Sequence, residues 1–294
     1  MRGKTQEVLL TLLICPVRGC GEPLERRERA LACPRGHSFD IARGGYVNLL
    51  QPQDRRSKEP GDPREAVEAR RRLLDAGYGE ALLSALLEEV RALGLPAGAT
   101  VLDAGCGEGY YLGSLARELG AEAHGVDLSS AAIALAARRY PAGTWVVANA
   151  DRSLPWAAGA FDLVLSIDAR LNPAEMRRVL KPGGRLLVAV PAADDLVELR
   201  AALLGEGVLR DRLEGAAGRL AAEFEMEGRR TVRDRARLGP DEVRDALAAT
   251  YRLRESRRQA IAGMDVTLSH DLARFLPRFK DKIAASDGRF QRSS

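Results

Sequence analysis

The spacing of apolar and polar positions divides the chain into three stretches. Residues 10–50 contain two short turns, ICPVRGC and ACPRGH, joined by a polar stretch; ALACPRGHSFD and GGYVNLL each have the length of a short strand. Residues 51–64, QPQDRRSKEPGDPR, combine proline, glycine and charge without periodicity, the pattern of an exposed linker or a substrate-facing loop. Two amphipathic helices follow at 64–76 and 79–93. From residue 100 the rhythm changes to short apolar strands alternating with helices. Strands are expected at TVLDAG, AEAHGVDLS, TWVVANAD, FDLVLSID and RLLVAVP, and helices at YYLGSLARELG, SAAIALAARRY and NPAEMRRVL, with KPGG as a turn. Such alternation indicates a parallel sheet with crossover helices, an α/β fold. Beyond it, DLVELRAALLG opens a helix, 222–233 reads as a late strand, 240–250 as a helix and DVTLSHDL as a last strand.

Composition narrows this picture. Of 294 residues 46% are hydrophobic but only 5% aromatic, so the core must be mainly aliphatic. No apolar run reaches the roughly 20 residues needed to span a bilayer. The first residues faintly resemble a signal peptide but run into a cysteine pair instead of a cleavage site, so the protein is expected in the cytoplasm. The net charge is +4, and residues 1–75 hold 15 Lys or Arg against 11 Asp or Glu, which accounts for the whole surplus. A polyanionic partner is compatible with this imbalance. Three of the four cysteines fall within the first 33 residues, a distribution that favours a metal knuckle over a disulfide framework.

The central motif is VLDAGCGEG, residues 101–109. A buried strand ends near Asp103, and Gly105, Gly107 and Gly109 form the turn into the next helix. Glycine suits a backbone that adopts unusual dihedrals or approaches a ligand closely. Asp127 ends the following strand, where a carboxylate can bind both hydroxyls of an adenosine ribose. A dinucleotide site is the competing reading. The spacing is not G-x-G-x-x-G, and the acidic Asp103 and Glu108 crowd the place a pyrophosphate would occupy. A zwitterionic amino-acid moiety tolerates such neighbours. The loop resembles motif I of class I methyltransferases, which use S-adenosyl-L-methionine. On that resemblance Asp127, followed by Leu128, matches the ribose-binding acid, and Asn149, Ala150 and Asp151 stand where the adenine pocket is lined. Asp162 is expected to hold the sheet edge.

Cys15, Cys20, Cys33 and His37 form two chelating pairs, and three thiolates with one imidazole make a closed structural Zn2+ site. The segment has little apolar content of its own, so a metal would supply folding energy.

The run CPRGHSFDIARGGYVNLL, then GDPREAVEARRRLLDAG, then VLDAGCGEGYY, is similar to the 23S ribosomal RNA guanine-N1 methyltransferases, most densely over residues 12–190. The resemblance implies a Rossmann-like class I methyltransferase with a small amino-terminal zinc-binding domain, 23S ribosomal RNA as partner, and a homodimer. It divides the chain into a zinc-binding RNA-recognition domain (1–50), a linker and helix bordering the cleft (51–78) and the methyltransferase domain (79–285). It implies Cys15, Cys20, Cys33 and His37 as zinc ligands, and Asp103, Gly105, Gly107, Gly109, Asp127, Leu128, Asn149 and Ala150 at the cofactor. Gly61, Asp62, Arg70 and Arg71 match a family segment beside the active cleft. Arg43, Arg55, Arg56 and Lys58, with Arg70 and Arg71, are candidate RNA contacts. The chain departs from the family pattern in the four-residue gap between Cys15 and Cys20, and in Ala76-Gly77-Tyr78-Gly79, where a shifted Tyr78 takes the place of a cofactor-binding tyrosine. It departs again in the Ile167–Pro173 stretch and in YRLRESRRQAIAG. Guanine N1 carries a proton near neutral pH, and Asp168, just past the fourth strand of the alternating region, is the candidate catalytic acceptor for it. Two other readings remain open: a small-molecule methyltransferase of the same fold, and a zinc-containing rRNA-binding assembly factor with an inactive methyltransferase domain.

Overall fold

The computed structural model describes residues 12–54, 60–205, 209, 211–250 and 262–278. Near the amino terminus, β1 (Glu25–Arg27), β2 (Ala30–Ala32) and β3 (Ser38–Asp40) form a small antiparallel sheet in that order. These strands are too short to enclose a core. Leu13, Leu24 and Leu31 are instead buried in a cluster that also contains Trp156 and Phe161 of the larger domain. Leu13 is joined to Trp156 by an antiparallel bridge. The zinc-binding segment is therefore seated on the larger domain through a shared apolar seam.

The larger domain is built on an eight-stranded sheet with the order β10-β11-β9-β8-β5-β6-β7-β4. Its centre comprises β5 (Thr100–Ala104), β6 (Glu122–Asp127), β7 (Thr144–Val147), β8 (Phe161–Ile167) and β9 (Leu180–Pro191), all parallel. The crossovers include α3 (Tyr110–Leu119), α4 (Ser130–Arg139) and α5 (Pro173–Val179). Alternation along the strands sends Leu102, Ala104, Val164, Leu186 and Val188 into the cluster shared with the zinc-binding segment. The intervening Val101, Leu163, Leu165, Leu187 and Ala189 pack on the opposite face, in the cluster that contains Leu82, Leu86 and Leu112. Burial on both faces explains why these strands read as continuous apolar runs.

Both edges extend beyond what the pattern suggested. The two-residue β4 (Val47–Asn48) lies within the expected zinc-binding domain, yet pairs in parallel with β7. At the far edge, β11 (Met264–Pro277) joins β9 antiparallel and carries β10 (Phe224–Leu238) outside it. β10 outruns the expected 222–233 because the Arg- and Asp-rich run RRTVRDRARL presents little apolar alternation, and β11 runs past the expected 265–272 as it pairs with β10 as far as Pro277. KPGG is a bulge inside β9 and not a turn before it: Phe161 pairs with Leu180, and two residues later Leu163 pairs with Arg185. The remaining helices are α1 (Arg64–Asp75), α2 (Glu80–Ala92), α6 (Val197–Leu204), α7 (Arg212–Leu220) and α8 (Pro240–Thr250). α7 had no counterpart among the expected elements. Asp162 does tie the sheet: its carboxylate accepts from Thr100 N at 2.9 Å and from Lys181 Nζ at 2.7 Å. Burial would raise this carboxyl, but the Lys181 and Thr100 contacts outweigh it and hold it below its ordinary range.

Candidate active site and metal centre

The chain runs outward from β5 to β6 and β7, then returns to place β8 on the other side of β5. In an open α/β sheet this reversal leaves a crevice at the carboxyl ends of the strands. A cavity of about 490 Å³ occupies that position.

The glycine loop forms its floor. Gly105, Gly107 and Gly109 all have positive φ, at 99°, 54° and 81°. A Cβ on Gly105 would collide with the methyl of Ala169, so the loop lies directly against the connection after β8. Gly109 does not line the cavity. A Cβ there would sit 2.7 Å from the Trp145 ring, which assigns this glycine to packing. Asp127 pins the loop: Oδ2 accepts from Gly107 N at 3.0 Å, and Oδ1 from Ser129 N at 2.7 Å. Burial raises its carboxyl, with these two amide bonds opposing.

Two further carboxylates line the cavity. Asp103 is 2% exposed and Glu108 3% exposed. Asp103 Oδ1 and Glu108 Oε2 have no hydrogen-bond partner among the described residues. Burial and the charge of Asp127 push Asp103 well above the usual carboxylate range. Burial likewise pushes Glu108 up to about 7, partly offset by Arg139. A buried acceptor without a partner costs on the order of 1–3 kcal/mol, more when charged, so the site calls for a cationic or donor-rich ligand. The ammonium of S-adenosylmethionine meets that demand, and Asp127, Leu128, Asn149 and Ala150 line the same cavity. The residues present fit the cofactor.

The segment before α1 lines the cavity through Pro60, Gly61 and Asp62. Gly61, at φ 88°, rests on the Leu128–Ser129 backbone, and a Cβ would come within 2.5 Å of Ser129 N. Ser129 Oγ donates to Asp62 O at 2.8 Å, and Arg70 Nη2 to Asp62 Oδ2 at 3.1 Å. Asn149 Nδ2 donates to Asp54 O at 3.2 Å on the other side.

Asp168 lies at the rim. Its φ of 52° turns the chain out of β8, and its amide donates to Ala189 O at 2.9 Å. Its carboxylate meets His270 Nε2 of β11 at 3.1 Å. Asp168 and Ala169 also line a second cavity of about 420 Å³, whose other walls include Pro191, Arg212 and Arg219. His270, Arg212 and Arg219 were not singled out from the sequence. They come from the last third of the chain, where no local pattern marks them.

Tyr78 is a correction. It does not line the cofactor cavity; its hydroxyl donates to Arg237 O at 3.2 Å. The tyrosine that does line it beside Tyr110 is Tyr111, whose hydroxyl burial and the Asp168 charge hold far above its ordinary range. Of the arginines expected at RNA, Arg70 faces the cofactor cavity, while Arg71 pairs with Asp75 outside it. Arg43 is exposed in the turn before β4. Arg55, Arg56 and Lys58 lie outside the described residues, as does YRLRESRRQAI.

The metal ligands converge. One donor atom from each of Cys15, Cys20, Cys33 and His37 lies within 4.8 Å of all the others. His37 Nδ1 is 3.4 Å from the sulfurs of Cys15 and Cys33, and Cys20 Sγ is 3.8 Å from Cys33 Sγ. A tetrahedral zinc with normal bond lengths sets sulfur–sulfur edges of about 3.8 Å and sulfur–nitrogen edges of about 3.6 Å. The four-residue gap after Cys15 is therefore compatible with the geometry, with Gly19 and Gly21 at positive φ absorbing the wider turn. Burial pushes the Cys15 thiol up to about 12. The cluster fits a structural zinc with no open position.

Comparison with known proteins agrees with both halves. A family model for the methyltransferase domain matches residues 101–184, and one for the RlmA amino-terminal zinc ribbon matches residues 13–58. The 23S rRNA (guanine(748)-N(1))-methyltransferase of Streptomyces fradiae is 40% identical over 239 residues, covering 80% of this chain and 83% of its own. A Micromonospora griseorubida protein, provisionally named a 23S rRNA (guanine-N(1)-)-methyltransferase, is 38% identical over 80% of this chain and 84% of its own. The malonyl-[acyl-carrier protein] O-methyltransferase of Enterobacter lignolyticus matches only 44% of this chain, at 36% identity over 57% of its own length.

Proposed function

Since the chain belongs to the 23S rRNA guanine-N1 methyltransferase family, we propose that it transfers the methyl group of S-adenosylmethionine to N1 of a guanine in a 23S rRNA hairpin. The observation that carries this reading is the pair of cavities meeting at Asp168 and Ala169, one suited to the cofactor and one open to an acceptor.

Bound S-adenosylmethionine supplies an electrophilic methyl on its sulfonium. Asp103 and Glu108 face its ammonium, Asp127 its ribose hydroxyls, and Asn149 with Ala150 its adenine. The strap of Gly61 and Asp62 limits water access above it. Catalysis is then largely alignment of nucleophile and methyl along one line. A guanine presents N1–H and the 2-amino group as adjacent donors, and Asp168 is the acceptor placed at the junction of the two cavities. Proton removal by Asp168 exposes the N1 lone pair to the methyl. The base must leave its stack to reach this site, which an unpaired hairpin nucleotide does at low cost.

Arg212 and Arg219 flank the acceptor cavity. Arg212 Nη1 donates to Pro191 O at 3.3 Å, and Arg219 is exposed with no ion pair among the described residues. Such groups suit the phosphates beside a captured base. Arg43 on the zinc-binding module would extend the contact to the rest of the hairpin, with a second copy of the chain completing the RNA cleft. No helix among the described residues is long and apolar enough to cross a membrane, and an rRNA substrate places the work of the enzyme in the cytoplasm.

The test is direct. Purified protein is incubated with labelled S-adenosylmethionine and 23S rRNA lacking the modification, and the label is mapped by reverse transcription. A single stop at one hairpin guanine is expected, because an N1 methyl blocks the pairing edge. Label entering a small-molecule pool, with none in RNA, would overturn the reading.

A further inference from the structure

His270 is the one side chain whose ring touches the Asp168 carboxylate among the described residues. It reaches Asp168 from β11, 102 residues further along the chain, and stands opposite Pro191 in the β9–β11 register. Three features set this contact apart from a surface ion pair. The imidazole side chain is only 20% exposed, against 47% for the carboxylate. Asp168 is held at φ 52°, a left-handed conformation uncommon for a residue other than glycine, and such conformations concentrate at functional sites. Asp168 lines both cavities.

We propose that His270 is a positioning residue for methyl transfer, whose single Nε2–H···Oδ2 bond aims the other oxygen of Asp168 at the acceptor. The proposal rests on the guanine-N1 reading above. In the step it serves, the C–S bond of the donor breaks with its electron pair left on sulfur, and the N1–C bond forms. The N1–H bond breaks, and the proton passes to the free oxygen of Asp168 and then to water. A carboxylate free to rotate would present that oxygen only part of the time. The hydrogen bond fixes it.

The same contact predicts a pH signature. Burial works against a charged His270, but the Asp168 charge and hydrogen bond outweigh it and raise its pKa. The charged groups facing the ring are Asp168 after β8, Asp195 before α6 and Asp271 on β11, with Arg212 of α7 acting on Asp195. Beside an imidazolium, a proton arriving on the Asp168 carboxylate has to displace an ion pair. Beside the neutral ring, still protonated at Nε2, it displaces nothing but a hydrogen bond. Activity therefore rises with pH as His270 loses its second proton.

Two variants test this with the full-length protein and 23S rRNA, after the wild type has been shown to modify guanine N1. His270→Ala removes the bond, and a fall in kcat of roughly 100-fold is expected, with KM for RNA and the dissociation constant for S-adenosylmethionine changed less than 3-fold. His270→Gln keeps an N–H donor near the same place but cannot titrate. It should recover most of kcat and lose the acid limb governed by His270. An acid limb that stays in place in His270→Gln, or a His270→Ala enzyme with unchanged kcat, would overturn the proposal. Failure of the guanine-N1 reading would appear earlier and differently, as a wild-type enzyme that leaves N1 unmodified.

Discussion

Gly61→Ala is the sharpest probe of how the strap governs cofactor binding. The native φ of 88° lies in the left-handed region, which costs an alanine about 1–2 kcal/mol. The new Cβ would also stand 2.5 Å from Ser129 N, and the contact is with backbone that cannot swing aside. Restoring an ordinary separation moves the strap by about 1 Å and breaks the 2.8 Å bond from Ser129 Oγ to Asp62 O, worth about 1 kcal/mol. The closed strap is thus disfavoured by about 2–3 kcal/mol, and affinity for S-adenosylmethionine should fall roughly 30- to 150-fold if only the closed form binds tightly. Isothermal titration calorimetry measures this directly. Gly98→Ala serves as the control, because Gly98 has φ 71° but nothing within 4 Å of a new Cβ, so it carries the strain without touching the site. If both variants bind the cofactor within 3-fold of wild type, the strap plays no part in holding it.

Asp127→Asn sets an amide N–H₂ against one of the two backbone donors, Gly107 N or Ser129 N, and cofactor affinity should drop about 10- to 100-fold in the same titration; an unchanged affinity would remove Asp127 from the site. His124 is fully buried in β6 against Trp156 and Phe161, and burial pushes its pKa down to about 3. The unfolded chain therefore binds the extra proton between about pH 6.5 and 3, so this contribution to stability is complete above 6.5 and lost as pH falls, by at most about 5 kcal/mol. Acid titration of His124→Leu should show unfolding at lower pH than wild type, and an identical curve would refute the assignment. Removing zinc with a chelator, or by Cys33→Ser, should loosen the Leu13–Trp156 seam and red-shift tryptophan emission; an unaltered spectrum at zero zinc content would show that the seam stands without the metal.

The cavity around the glycine loop is legible in the sequence because its determinants are local. The glycine loop, Asp127 and Asn149 each lie at or just past a strand end, and the short continuous apolar runs of those strands locate the ends. The four zinc ligands were readable for the same reason, being two short turns. Tyr78 misled because its neighbours Ala76 and Gly77 match the family segment while the α1–α2 turn directs its ring elsewhere; Tyr111, inside a helix, carries no such signal. His270, Arg212 and Arg219 carry no local signal because their place at the cavity depends on the long-range pairing of β11 with β9 and on where α7 docks against the sheet. Gly109 illustrates the converse: it looks like part of the ligand motif, but the ring of Trp145 explains it.

The placement of β4 has a consequence for the order of events during synthesis. Leu13 and β4 are made early, yet their partners Trp156 and β7 follow about 100 to 140 residues later. At roughly 5–20 residues per second, a nascent chain waits about 5–30 s before the seam can close. During that interval the first module has three tiny strands and almost no private core. A zinc ion captured co-translationally would hold the module together until the sheet that receives it exists, so metal supply would govern the yield of folded enzyme as well as its final stability.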